Sequence, residues 1–178
     1  MESVNYPVIL VLTGASGAGK TTLMLKLDEL RIPGVEGFNC DRVLEEVRRS
    51  SDAKDLQANI LRHWIAKLCR EMTQIRLAVL DMQIAPHRAL EVLTEAKISR
   101  SQIVFVDCDT AERNRRLCNE RGQPELSNPQ MDCWAAYLRG QADALYLPII
   151  DTSQNSMTQG LKMLQTLVKE LMLRTANS

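Results

Sequence analysis

The segment Gly14-Ala15-Ser16-Gly17-Ala18-Gly19-Lys20-Thr21 constrains this chain more than any other stretch. It fits G-x-x-x-x-G-K-S/T, the phosphate-binding loop called Walker A. Val8-Ile9-Leu10-Val11-Leu12 precedes it, a continuous apolar run that reads as a buried parallel strand. Residues 22–30 follow it and are mostly good helix formers. Strand, glycine loop and helix, in that order, are the context the motif requires. The glycines free the backbone to turn its N–H groups on an anion, and the helix start adds partial positive charge. Residues 14–21, with Thr22 next, are therefore the expected nucleotide-binding set. Lys20 is expected to reach the β- and γ-phosphates, and the Thr21 hydroxyl to bind Mg²⁺.

At 178 residues the chain suits a single domain spanning 1–178. Its 45% hydrophobic content is that of a globular core and argues against disorder. Lysine plus arginine equals aspartate plus glutamate at 22 each, which gives no electrostatic case for a nucleic-acid or membrane partner. The five cysteines are scattered, odd in number and without C-x-x-C, so neither zinc nor a disulfide framework is indicated. A reducing compartment fits that usage. Residues 1–7 lack the basic region of a signal peptide, and no run is long enough to span a membrane. The expectation is a cytoplasmic protein.

Apolar runs alternate with helical periodicity, the pattern of an α/β domain with a parallel sheet. After the first helix, Pro33-Gly34 breaks the chain and 35–40 reads as a second strand. A helix follows from Asp41, with Val43, Leu44 and Val47 as its stripe. Ser50-Ser51-Asp52 marks a break. Leu56, Ile60, Leu61, Trp64, Leu68 and Met72 then form one face of a long helix. Strands are expected at 77–80, 103–106 and 147–150, ending at Asp81, Asp107 and Asp151. Pro148 places the last of them at a sheet edge or at a strand start. Helices are expected from Pro86, over about 111–120, and from 128 to 144. A final helix should open on the capping box Ser156-x-x-Gln159 and bury Leu161, Leu164, Val168 and Leu171. Parallel sheets bind ligands beyond the carboxyl ends of their strands, which singles out Asp41, Asp81, Asp107 and Asp151 beside the glycine loop.

With these residues in place, the chain resembles the P-loop kinases of small molecules and nucleotides, the group holding adenylate, shikimate and gluconate kinases. Gly14 to Thr21 carries most of the likeness. Arg113-Asn114-Arg115-Arg116-Leu117 through Arg121 is similar to the arginine-bearing helix and lid of that group, and 80–86 to its stretch after the third strand. The resemblance implies a three-layer α/β fold with a five-stranded parallel sheet in the order 2-3-1-4-5. A helical lid is expected at about 119–140. It also implies ATP and Mg²⁺. The chain differs from shikimate kinases at Asn39-Cys40-Asp41, where they have D-x-D, and has no N-K-x-D.

The residue roles that follow compete with plainer ones. Asp41 is either the base for the acceptor or the N-cap of the next helix. Asp81 is either a Mg²⁺ ligand or a strand-end cap. Arg116 and Arg121 would close over the triphosphate, and otherwise belong to a solvated basic face paired with Glu112 and Glu120. The solvated face is the expected place for Arg113 and Arg115. Gln83 and Arg139 are candidates for the acceptor, and Asp151 for the adenine side. Trp64 and Trp134 are expected to pack. The expected activity is ATP-dependent phosphoryl transfer to a hydroxyl of a small molecule. A nucleoside monophosphate kinase stands as the alternative, because Arg42, Arg48 and Arg49 could hold an acceptor phosphate. A nucleotide-dependent regulatory ATPase stands as the alternative outside the kinases.

Overall fold

The computed structural model describes residues 7–50, 55–72 and 74–174. The break expected at 50–52 falls partly outside them. Five strands form one parallel sheet in the order β2-β3-β1-β4-β5. The strands are β1 (Val8–Thr13), β2 (Val35–Asn39), β3 (Leu77–Asp81), β4 (Ser101–Asp107) and β5 (Ile149–Asp151). The helices are α1 (Lys20–Asp28), α2 (Leu44–Ser50), α3 (Leu56–Glu71), α4 (Pro86–Glu95), α5 (Thr110–Arg115), α6 (Pro129–Ala144) and α7 (Met157–Arg174). Order and layering agree with the fold expected from the sequence.

The central strand explains the layers. All six residues of β1 are buried, and its five apolar residues alternate between two cores. Ile9 and Val11 pack with Trp64 and Leu68 of α3 and Val92 of α4. Val8, Leu10 and Leu12 pack with Leu23 and Leu27 of α1 and Leu164 and Val168 of α7. Period-two alternation of apolar residues on both faces is what a strand sandwiched between helices requires. Each such fully buried side chain contributes roughly 1.5–3 kcal/mol, so β1 is the spine of the sheet. The last strand, β5, is an edge strand and starts just after Pro148, so the proline removes no ladder bond. Helix α7 opens on the expected capping box: Gln159 N–H donates to Ser156 Oγ at 3.3 Å and Ser156 N–H to Gln159 Oε1 at 2.8 Å.

Two local departures bear on function. Asn39, not Asp41, caps the turn after β2: its Oδ1 accepts from the Asp41 N–H at 3.0 Å, and a 3₁₀ turn (Cys40–Val43) leads into α2. The helix expected over 111–120 is α only to Arg115 and then widens into a π-turn (Arg116–Glu120). Arg121 N–H reaches the Arg116 carbonyl at 3.0 Å, an i to i+5 bond.

Candidate active site

Strand register assembles the site. Asp81 ends β3 opposite Leu12 of β1 and Asn39 of β2, so the glycine loop, Asp81 and the Asp41 turn emerge side by side. The loop is a cradle with no room for side chains at two points. A Cβ on Gly14 would lie 2.2 Å from the Val106 carbonyl oxygen. One on Gly17, at φ +81°, would lie 2.9 Å from the Arg113 side chain. Ala15 and Ala18 are buried, and α1 begins at Lys20, where the first N–H groups of a helix lack intrahelical partners. These features fit a nucleotide's phosphates.

Lys20 is 7% exposed, and its Nζ donates to the Gly14 and Ala15 carbonyls at 2.9 and 3.0 Å. Burial lowers its ammonium pKa to about 8, more than Asp81 and Asp41 restore. This fixes the sign of a pH effect. Above about pH 8 the free loop holds a neutral lysine, whereas a bound triphosphate keeps it protonated. Binding then takes up a proton, and nucleotide affinity falls by up to about tenfold per pH unit between 8 and the lysine's ordinary range. Titration calorimetry at pH 9 in two buffers of different ionisation enthalpy should show that uptake; equal heats in both buffers would contradict it.

A cavity of about 200 Å³ opens over the loop, bounded by Gly17, Gly19, Lys20, Thr22, Arg116 and Met157. A second, of about 560 Å³, lies towards β2 and β3 and reaches Asn39, Asp41, Arg48, Asp81, Gln83 and Gln123. Lys20, Thr21 and Arg121 line both. The carboxyl of Asp81 is 5% exposed and accepts from the Thr21 hydroxyl at 2.5 Å. Burial pushes its pKa up, against the pull of Lys20. A buried carboxylate touching a hydroxyl is a hard-oxygen pair that suits Mg²⁺, which keeps waters and substrate phosphates as its other ligands. Among the described residues no cluster of three His, Cys, Asp or Glu forms a fuller metal site. Gln83 donates to Ser16 Oγ at 2.6 Å, which turns that loop serine to the second cavity rather than the first.

The arginines separate sharply. Arg113 is 1% exposed, buried under Gly17 and paired with Asp132 of α6. The expectation of a solvated position was wrong for it, because the loop and α6 close over that side of α5. Arg115 does stand on the exposed face, between Glu112 and Glu120. Arg116 donates to Thr152 Oγ1 and Thr152 O, both at 2.9 Å, and to Glu112 at 2.9 Å. No hydrogen bond or ion pair among the described residues holds the Arg121 guanidinium. In a plain α-helix, residues five apart point about 140° apart. The wider π-turn takes up the extra residue and brings Arg121 round towards Arg116, so both front the first cavity.

Two expected ligand residues are engaged elsewhere. Arg139 pairs with Asp107 and Asp143 and does not line the second cavity. The Asp151 carboxylate accepts from Ser153 N–H, Ser153 Oγ and Gln154 N–H, which makes it the cap of the turn after β5. Trp64 packs on Phe38, and Trp134 stacks on Tyr137 at 5.5 Å. Sequence reading passed over Thr152 and Gln123 as side chains with particular contacts. No motif marks them, and only the folded sheet brings β5 beside the loop.

The sequence model of the adenylylsulphate kinase family matches residues 6–123, about two thirds of the chain. No curated protein matches by sequence search. Among solved structures, a gluconokinase from Sinorhizobium meliloti superposes with TM-score 0.59 at 16% identity, covering 96% of this chain and 98% of its own. An APS kinase from Mycobacterium tuberculosis, solved with AMPPNP and APS, gives TM-score 0.57 at 17% identity, covering 92% and 98%. A shikimate kinase from Acinetobacter baumannii, solved with shikimate, gives 0.55 at 20% identity, covering 93% and 96%. At such identities these likenesses establish the fold. Among the described residues no helix is long and apolar enough to cross a membrane.

Proposed function

The chain belongs to the adenylylsulphate kinase family, and from that premise we propose that it is an ATP- and Mg²⁺-dependent kinase acting on a hydroxyl of a small molecule. One observation carries the reading: two cavities meet at Lys20, Thr21 and Arg121. A donor triphosphate in the first and an acceptor in the second would have their reacting ends at that junction. A protein that only hydrolyses nucleotide needs the first cavity alone.

In this reading the glycine loop and Lys20 hold the triphosphate, with Arg116 at its side. Thr21 and Asp81 hold Mg²⁺, which would offset phosphate charge when bound. Asp41 orients the acceptor hydroxyl and takes its proton as the new O–P bond forms and the bond to the ADP oxygen breaks. Arg121 faces the charge that develops on the transferred group. Gln83 lies within the acceptor cavity and ties it to the loop. Closure of the segment at about 119–140 would exclude water, which would otherwise take the phosphoryl group.

Arg48 supports a second reading. It lines the acceptor cavity, whereas Arg42 and Arg49 are exposed outside it. A guanidinium there suits an acceptor that carries an anionic group, as a nucleoside monophosphate does. Incubation with ATP labelled on its terminal phosphate, Mg²⁺ and fractionated metabolites tests both. A labelled product other than free phosphate, lost on chelation with EDTA, is the expected result, and its chemistry separates hydroxyl from phosphate acceptors. Label appearing only as free phosphate would point instead to a regulatory ATPase.

A further inference from the structure

Thr152 is 8% exposed and lies just after β5, beyond the part of the chain matched by the family. Its hydroxyl sits at a junction of three elements. Oγ1 accepts from Arg116 Nη1 at 2.9 Å, and is 2.8 Å from the Ala18 carbonyl and 3.1 Å from the Asp107 carbonyl. The Thr152 carbonyl accepts from Arg116 Nη2 at 2.9 Å, and its N–H donates to the Asp107 carbonyl at 2.9 Å. A hydroxyl has one proton to give, and the shorter contact assigns it to Ala18. That bond matters for the loop. In a trans peptide the C=O and N–H point in opposite directions, and among the described residues no peptide bond is cis. Holding the Ala18 carbonyl outward on Thr152 therefore aims the Gly19 N–H the other way, towards the cavity that Gly19 lines. Meanwhile the Arg116 fork, gripped by the hydroxyl and carbonyl of one residue, has a single orientation.

We infer that Thr152 is a positioning residue for the nucleotide: its hydroxyl ties the Arg116 guanidinium, which Glu112 and the Thr152 carbonyl also hold, to the Ala18–Gly19 peptide on the phosphate cavity. The inference rests on the reading of that cavity as the triphosphate site. A hydrogen bond to a charged group is worth about 1.5–3 kcal/mol, so its loss should weaken binding roughly tenfold or more.

The test uses the full chain and the non-hydrolysable analogue AMPPNP, with binding measured by calorimetry and folding followed by circular dichroism. Thr152→Val removes the hydroxyl at nearly constant volume, and should weaken AMPPNP binding at least about tenfold. Thr152→Ser keeps the hydroxyl and should bind within about threefold of the parent protein. The double variant with Arg116→Ala should fall clearly short of the product of the single losses, because both changes act on one shared contact. A merely structural threonine would give multiplying effects, and no rescue by serine. Should Thr152→Val not fold, Thr152→Ala takes its place, since it removes the hydroxyl without adding bulk. Parent-like binding by the hydroxyl-less variant, or equal damage from serine, overturns the inference whenever Lys20→Ala or Arg116→Ala is itself impaired. If Arg116→Ala and Lys20→Ala both bind AMPPNP like the parent, the reading of the cavity has failed instead.

Discussion

Asp41→Asn should cut phosphoryl transfer by about 10²–10⁴-fold while leaving AMPPNP affinity within about twofold. The amide is isosteric with the carboxylate but cannot accept the acceptor's proton. The prediction is sharp because the plainer role of Asp41 has been filled by its neighbour. Asn39 caps the turn through its own side chain, and Asp41 contributes only a backbone N–H to that cap, which asparagine keeps. The side chain is exposed and lines the second cavity. Stability should therefore move by no more than about 0.5 kcal/mol, as for other exposed positions without structural contacts. Single-turnover transfer to the acceptor, alongside AMPPNP calorimetry, measures both halves. A variant that transfers at the parent rate places the base elsewhere.

The second large effect belongs to Arg121. Its replacement by alanine should lower the transfer rate about 10²–10³-fold, the loss seen when one preorganised donor to a developing charge is removed. The other three arginines of this stretch are committed to protein partners: Arg113 to Asp132, Arg115 to Glu112 and Glu120, and Arg116 to Thr152 and Glu112. Arg121 stands at the junction of the two cavities, close enough to Lys20 and Asp81 to perturb both. Arg115→Ala is the matched control. It removes an equal charge from the outer face of α5 and should leave the rate within about twofold, since exposed ion pairs contribute about 0–1 kcal/mol. Similar losses in the two variants would mean that net charge, not position, is what counts.

The loop at 14–21 was legible because its chemistry is local. Consecutive backbone amides, a helix start and a lysine within one turn need only their own segment to form an anion site. The strands were legible for a related reason: a centre strand covered on both faces must be apolar throughout, as Val8 to Leu12 are. Asp81 could be placed because it ends such a run. Beyond that reach, sequence reading misassigned side chains whose partners come from distant elements. Arg113 was read as solvated, yet it is buried by Gly17, 96 positions before it, and by Asp132. Arg139, expected to meet the acceptor, pairs with Asp107, 32 positions before it. Which of four neighbouring arginines has no hydrogen-bonded partner among the described residues was decided by a single widened helical turn and by the carboxylates that packing delivers to the rest. Local chemistry fixed where a phosphate can sit. Only the closing of β5 and α6 against the loop chose the side chains that face it, because those contacts exist between segments that sequence order keeps far apart.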